Sequence, residues 1–420
     1  MKSSQYQAGN AQPCSSVSLL SAEGWRVSQI VLAVGVFMAF VGYGMSIPFL
    51  PLYVQTLGVT SVEQAALWSG ILFSIGPLMG SFLTPIWGYL SDRCGRKLML
   101  QRSLAGFTVF MGLMGLVANV WQLLVLRIIT GLFSGFLAMA MTLVTDLSPV
   151  ERVGESIGFV HSGRRMGLAL GSAIGGLLAS HLSFRLAFVI SGVMQFFALL
   201  LITMGCREPT MRQSKAIRAS VSQSLRSFRS LPSLQPLLVV LFLIGVVESS
   251  ISPILPLYVA DLAPRAAASA ALTGVILALG SVATVVSITV AGQLSRQRSP
   301  RLLLLLALGL GALPMIFIVT VSTWWQLGGL FVLLRLLSGG ALSLSYTLGG
   351  LAIPQERRGA LFGVLAIGSL LSGALGPVGS GVLGALDLRA VFVVDSVLYL
   401  MAFIVVMRYV VNHEEECEPT

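Results

Sequence analysis

Charge is what this sequence has least of: Asp, Glu, Lys and Arg make up 10% of its 420 residues, against 55% hydrophobic ones. Soluble domains carry about a quarter of their residues as charges, so a water-exposed globule is excluded and lipid is the expected solvent. Cysteine is nearly as scarce. The four present, Cys14, Cys94, Cys206 and Cys417, fall in tails or between apolar runs, so neither disulfides nor a Cys metal site is indicated. Also lacking are a nucleotide-binding loop, a metal-ligand cluster and a nucleophile with an evident base, which leaves an enzyme without support and implies no cofactor. The net charge of +10 would suggest nucleic acid in a soluble protein. Here the basic residues sit in short gaps between apolar runs and form no continuous face, so nucleic acid is not an expected partner.

What is abundant is long apolar runs. A bilayer core of about 30 Å takes roughly 20 apolar residues per helical crossing, and twelve runs of that length occur, over 28–53, 66–90, 98–118, 121–145, 156–180, 184–205, 237–258, 270–294, 302–321, 325–351, 359–386 and 389–411. They are rich in Gly, Ala and Leu and lack the period-two alternation of barrel strands, so the expected fold class is an all-α integral membrane protein. The first run follows a mostly polar stretch and is too long for a cleaved signal peptide, so it is expected to remain.

Orientation follows from Lys and Arg, which cytoplasmic loops retain during insertion. With the N-terminus inside, sixteen of them fall in the cytoplasmic loops and the linker, against Arg185, Arg265 and Arg389 on the other side. An even number of spans returns the acidic tail to the same side. Both termini are therefore expected in the cytoplasm, in a bacterial inner membrane.

The longest hydrophilic interruption divides the spans six and six. The expected organisation is an N-terminal tail (1–27), a six-helix bundle (28–205), a cytoplasmic linker (206–236), a second bundle (237–411) and an acidic tail (412–420). The halves repeat each other: IPFLPLYV at 47–54 recurs as SPILPLYV at 252–259, and Pro149, Glu151, Arg152 and Gly154 map onto Pro354, Glu356, Arg357 and Gly359. Arg127 with Gly131 finds a partner in Arg335 with Gly339 at a spacing of 208 residues. Parallel repeats suit a carrier whose halves pivot about a midplane site.

The segment GYLSDRCGRK at 88–97, between the second and third spans, is the most specific motif. On it, and on the twelve-span repeat from about Arg26 to Val411, the chain resembles the major facilitator superfamily. The resemblance implies a conformational latch at Gly88, Asp92, Arg93, Gly95, Arg96 and Lys97 that holds the cytoplasmic side shut when the transporter faces outward. Gly88 and Gly95 allow close approach and a tight turn, and Asp92 can bond cationic groups or a helix N-terminus across the seam. The second-half counterpart, Gly292 to Arg301, lacks the Asp. Along the fifth span, Gly158, Gly167, Gly171, Gly175 and Gly176 resemble the signature of the drug and proton antiporter branch and imply export, although Ser172 stands where that signature has Pro. Small residues at this spacing let helices pack backbone to backbone, which suits the face where the halves slide. Helix packing unrelated to antiport is the alternative.

Ionisable residues inside spans are costly and default to functional candidates. Glu248, mid-span, is the best-placed proton carrier; a permanent ion pair with an arginine is its alternative. Asp395 lies about six residues from the outer end of its span, where it can reach water, and ranks below Glu248. His161 has a suitable titration range or is a packing histidine. Arg127 matches the Arg-x-x-x-Gly core of a family motif implicated in proton transfer; since an arginine cannot give up its proton, its role would be to bias a carboxyl group or bind substrate charge. Arg164, Arg165 and Arg335 are candidate substrate-binding residues, with Tyr43 and Tyr346 lining an adaptable pocket. Arg164 and Arg165 differ by about 100° around their helix, so only one can point fully at a cavity.

The leading expectation is a transporter, functioning as a monomer, that exports small amphipathic compounds in exchange for protons. Four span arginines against two acids also suit a specific organic anion, such as a carboxylate metabolite or siderophore. A non-transporting sensor or scaffold with the same fold is the third reading.

Overall fold

The computed structural model describes residues 24–149, 152–206, 234–264, 266–353 and 358–410. The tails, most of the 206–236 linker, Arg265, Glu151, the repeat segment 354–357 and the side chain of Asp92 lie outside the described residues. Those described are helical almost throughout, without a strand. The first half comprises α1 (Gly24–Ser46), a short 3₁₀ turn (Ile47–Phe49), α2 (Leu50–Thr56), α3 (Val62–Cys94), α4 (Arg96–Met114), α5 (Val120–Leu132), α6 (Phe136–Leu147), α7 (Val153–His181) and α8 (Phe184–Gly205). The second half comprises α9 (Leu234–Leu262), α10 (Ala266–Leu294), α11 (Pro300–Ile318), α12 (Trp324–Ser338), α13 (Ala341–Ala352), α14 (Arg358–Leu386) and α15 (Leu388–Tyr409).

Three of the twelve expected spans are broken, each for a local reason. The chain tightens into the 3₁₀ turn at Pro48 and Pro51, which lack an N–H, between α1 and α2, whereas their counterparts Pro253 and Pro256 lie inside an unbroken α9. Gly135 takes φ +101°, a left-handed conformation that ends one helix and starts the next between α5 and α6. Gly339 and Gly340 separate α12 from α13. Gly95, at φ +101°, makes the turn between α3 and α4 and starts α4 two residues earlier than expected. Among the described residues, ten helical stretches are long and apolar enough to cross a membrane. The other two long helices, α4 and α7, fall short because they carry Arg96, Lys97 and Arg102, and Glu155, His161, Arg164 and Arg165.

Side-chain caps start helices at the end opposite the basic loops: Ser61 Oγ, Asn119 Oδ1, Ser183 Oγ and Asp387 Oδ1 accept from the N–H of Gln64, Gln122, Leu186 and Arg389 at 2.8–3.2 Å. The halves repeat at this end in detail. Tyr53 donates to Met114 O at 2.8 Å and packs its ring 4.9 Å from Phe188. Tyr258 donates to Ile318 O at 3.1 Å with its ring 5.8 Å from Phe392. Gln122 accepts from the Ala118 N–H, and Gln326 from the Ser322 N–H. These pairs, with Trp121 and Trp325, set the repeat at 204–205 residues. The 208-residue pairing of Arg127 with Arg335 is therefore one helical turn out of register: the true counterpart of Arg335 is Gly131, and the two arginines lie at different depths.

The halves meet mainly along α3 with α14 and α7 with α10, and through α9 with α2 and α3. At two crossings only glycine fits. A Cβ on Gly70 would lie 2.4 Å from Pro377 O and 2.9 Å from Gly381 Cα. One on Gly176 would lie 2.6 Å from Ala270 O and 2.9 Å from Gly274 Cα. Gly70 and Gly274 are repeat counterparts, as are Gly176 and Gly381, and both crossings lie near the ends opposite the basic loops. At the basic end, a Cβ on Gly88, Gly154, Gly158 or Gly292 would meet nothing within 4 Å, and α6 and α13 pack against helices of their own half. The seam is closed at one end and open at the other.

Replacing Gly176 with Val should prevent this close approach and shift the population toward an arrangement open at the non-basic end. Spin labels at Val62 and Leu386 would then report longer distances than in the parent protein; an unchanged distribution would show that the crossing does not control closure.

Candidate functional site

Four of the ionisable residues of the spans come together around the seam. Arg164 and Arg165 enter from α7, Glu248 from α9 and Arg335 from α12. Glu248 Oε1 and Arg335 Nη1 are 4.0 Å apart, with about a quarter of each side chain exposed, 29% and 19%. The guanidinium of Arg335 also lies over the ring of Phe331, 5.1 Å from its centroid. This contact makes the ion-pair alternative for Glu248 real in this conformation, but it is loose and accessible from the open side.

The two adjacent arginines divide as their 100° separation requires. Arg164 lies over the Phe40 ring of α1 at 5.3 Å, beside Tyr43, and its buried Nε has no hydrogen-bond partner among the described residues. Arg165 faces the seam, where its principal charged neighbours are Glu248 and Arg335 of the other half. Phe40 also packs 6.0 Å from Tyr43 and 6.1 Å from Phe136, so α1 and α6 give this wall an aromatic face. His161, a turn before the arginines and half-buried, has those two cations as its charged neighbours. Tyr346 shares a hydrogen bond with Ser369 at 2.8 Å, tying α13 to α14.

Arg127 is set apart from this cluster. It is buried at 5% exposure, and its Nε and Nη2 both donate to Leu72 O, at 3.0 and 2.9 Å. This two-pronged bond clamps α5 to α3 inside one half. A Cβ on Gly76, a turn along α3, would make only an ordinary van der Waals contact with Nη2, at 3.7 Å.

Asp395 corrects the expectation that it reaches water. It is 2% exposed and lies within hydrogen-bond distance of Ser250 Oγ, at 2.6 Å, because α15 packs this face against α9. Ser250 was missed in the sequence; its only signal there is a position two residues after Glu248.

The glycines of α7 also depart from expectation. Cβ atoms on Gly167, Gly171 and Gly175 would strike Phe37 O, Val41 O and Met45 O at 2.3–2.5 Å. Spaced four apart, they share one face, and that face packs on α1 of the same half. Gly176, 100° further round, alone touches the other half; Gly158 touches neither.

At the basic end, the described basic side chains of the 88–97 segment find partners within their own half. Arg96 pairs with Asp146 and donates to Thr142 O at 3.2 Å, Lys97 donates to Thr203 O at 2.9 Å, and Arg93 covers the Tyr89 ring at 4.5 Å. Arg102, just beyond, lies 3.5 Å over Trp87 and donates to Ser134 O at 3.0 Å. Gly95 is required by its backbone; Gly88 faces open space in this conformation.

Two pseudo-symmetric helical bundles, closed at one end around a shared polar site, define a multi-pass membrane carrier. The sequence profile of the Major Facilitator Superfamily matches residues 32–272 and 237–418, and the chain belongs to that family. It is 34% identical over 377 residues to the multidrug resistance protein MdtG of Enterobacter lignolyticus (strain SCF1), covering 90% of each chain. It is 33% identical over 324 residues to the MdtG of Proteus mirabilis (strain HI4320), covering 77% of this chain and 81% of that one. Among solved structures, a bacterial homologue of the human lysosomal transporter Spinster, inward-facing and occupied, superposes with a TM-score of 0.73 at 18% identity, covering 92% of this chain and 97% of that one. A D-xylose–proton symporter superposes with a TM-score of 0.72 at 15% identity over 91% and 98%. These two establish the fold.

If Arg127 is a clamp, Arg127→Ala should lower stability by about 2–3 kcal/mol, the worth of charge-assisted hydrogen bonds left unmade. Thermal unfolding in detergent measures this, and an unchanged melting temperature would return Arg127 to a role in transport alone.

Proposed function

We propose that this protein exports small amphipathic compounds in exchange for protons, by rocking its two halves about the Glu248–Arg335–Arg165 site. The observation that carries the reading is the position of Glu248: a lone, partly accessible carboxyl group of one half beside an arginine of that half and another of the opposite half. Protonating Glu248 removes its attraction for both cations. Substrate and proton can then compete for the same charges, which is the requirement for exchange. The relatives named as multidrug resistance proteins support the substrate range.

With the basic loops in the cytoplasm, as the distribution of Lys and Arg predicts, both termini are cytoplasmic and the conformation described is open to that side, ready to collect substrate. The 88–97 segment then acts as a latch only in the opposite state, when its Asp92 meets the second half. In the present state its basic residues are held by Asp146 and Thr203 of their own half, so no latch contact has to break on substrate entry.

Substrate charge follows from the same inventory. Arg165 and Arg335 outnumber Glu248 at the seam, and the Nε of Arg164 beside Phe40, without a partner among the described residues, suits an amphiphile with an acceptor group next to an apolar ring. Acidic or zwitterionic amphiphiles are therefore favoured over lipophilic cations.

In proteoliposomes, 8-anilinonaphthalene-1-sulfonate and ethidium serve as anionic and cationic probes. Glu248→Gln should abolish transport driven by a pH gradient while binding persists; pH-driven flux at the parent rate would remove Glu248 from coupling. Asp92→Asn should reduce kcat several-fold with little change in KM, since a latch acts on the conformational step; a change confined to KM would count against it.

A further inference from the structure

The carboxyl group of Asp395 is buried between α15 and α9, and its hydrogen-bond inventory shows what form it takes. Ser250 Oγ lies 2.6 Å from Asp395 Oδ2 and 2.9 Å from Val247 O. A serine hydroxyl has one proton to give. If it goes to the Val247 carbonyl, the contact with Asp395 is a hydrogen bond only when the carboxyl group supplies the other proton. If it goes to Asp395 instead, the bond to Val247 is lost and an anion remains in a site 2% exposed, an expensive arrangement. The protonated carboxyl group satisfies both contacts at once.

The first half provides an internal control. Its equivalent contact joins Ser46 to Ser191 at 3.2 Å with the same sequence separation, 145 residues, as Ser250 and Asp395. There Ser191 donates to Gly42 O at 2.6 Å. Two neutral hydroxyls thus suffice to join these helices, and packing gives no reason for the second half to carry an acid.

The charged surroundings of Asp395 are few. Arg335 of α12 is its cationic neighbour, and Tyr399, a turn further along α15, has Glu248, Asp395 and Arg335 as electrostatic neighbours. Of the other helices packed on α15, α11 has Arg301 as its charged residue, and that donates to Met407 O at the basic end. The described side chains of α14 include none that is charged. Among the described residues, Arg335 is therefore the guanidinium that Glu248 and Asp395 share.

We propose that Asp395 is a second proton-carrying carboxyl group of the transport cycle, protonated against Ser250 in this conformation and ionised when Arg335 turns to it from Glu248. This rests on the proton-exchange reading above. In the step itself the Asp395 O–H bond breaks and the proton passes to water entering from the open side. Arg335 compensates the carboxylate, while Ser250 turns its own proton from Val247 O to Asp395. Arg165 holds Glu248 once Arg335 has left it, and both carboxylates take up their protons from the other side, after the open end has closed and the opposite end has opened. Each cycle then moves two protons, one on Glu248 and one on Asp395.

The test uses the full chain in phosphatidylethanolamine and phosphatidylglycerol liposomes. Infrared difference spectra across a pH titration should show a protonated carboxylic C=O band that is absent in Asp395→Asn and moved to higher frequency in Ser250→Ala, which keeps the acid but removes its hydrogen bond. With 8-anilinonaphthalene-1-sulfonate or ethidium as the transported probe, Asp395→Asn should halve the ratio of protons to probe. A carboxylic band unchanged in Asp395→Asn, or a parental ratio in that variant, overturns the proposal for Asp395 alone. A parent protein that moves no proton with either probe overturns the exchange reading, and the transport role of Asp395 with it.

Discussion

Two backbone crossings, Gly70 with Gly381 and Gly176 with Gly274, bring four helices close enough to join the halves at one end. In lipid no hydrophobic driving force pulls helix to helix, so association depends on backbones approaching closely enough for dispersion to act over many atoms. Only hydrogen in place of Cβ permits that approach here. Because the crossings lie near one end, they act as a pivot: everything toward the basic end is free to separate, and the charged site between becomes accessible from that side.

The two halves share an architecture but not an electrostatic content. Tyr53 and Tyr258, the Gln122 and Gln326 caps, and the glycines at the crossings recur in both halves because they serve packing and helix ends, which both need. The polar chemistry is divided instead. The first half contributes Arg164 and Arg165; Glu248, Arg335 and Asp395 belong to the second. Where the second half has Asp395 against Ser250, the first has Ser191 against Ser46. A rocking motion moves these two sets relative to each other, so a proton or substrate that alters one set alters the energy of the seam.

The segment at 88–97 shows the same economy of contacts. Its cations are not idle in the state described: Arg96, Lys97 and Arg93 bond to α6, α8 and the Tyr89 ring. These contacts hold the described basic side chains of the segment within the first half.

An all-helical membrane fold of two similar halves was legible in the sequence, because a bilayer demands long apolar runs and each such run announces itself. The family was legible in GYLSDRCGRK, and Glu248 stood out because one acid in a lipid-length run has few neighbours to hide among. What remained for tertiary structure was everything that depends on which face of a helix meets which neighbour. Hydropathy is blind to a glycine that ends a helix, so the breaks at Gly135, which is left-handed, and at Gly339 and Gly340, which are not, went unread. Sequence spacing alone paired Arg127 with Arg335, whereas packing makes one a clamp on Leu72 and the other a partner of Glu248. Distance along a span placed Asp395 near water, whereas the contact of α15 with α9 buries it on Ser250. Composition determines the solvent in which this chain folds; the rotation of each helix about its axis, decided by close packing, determines which charges meet.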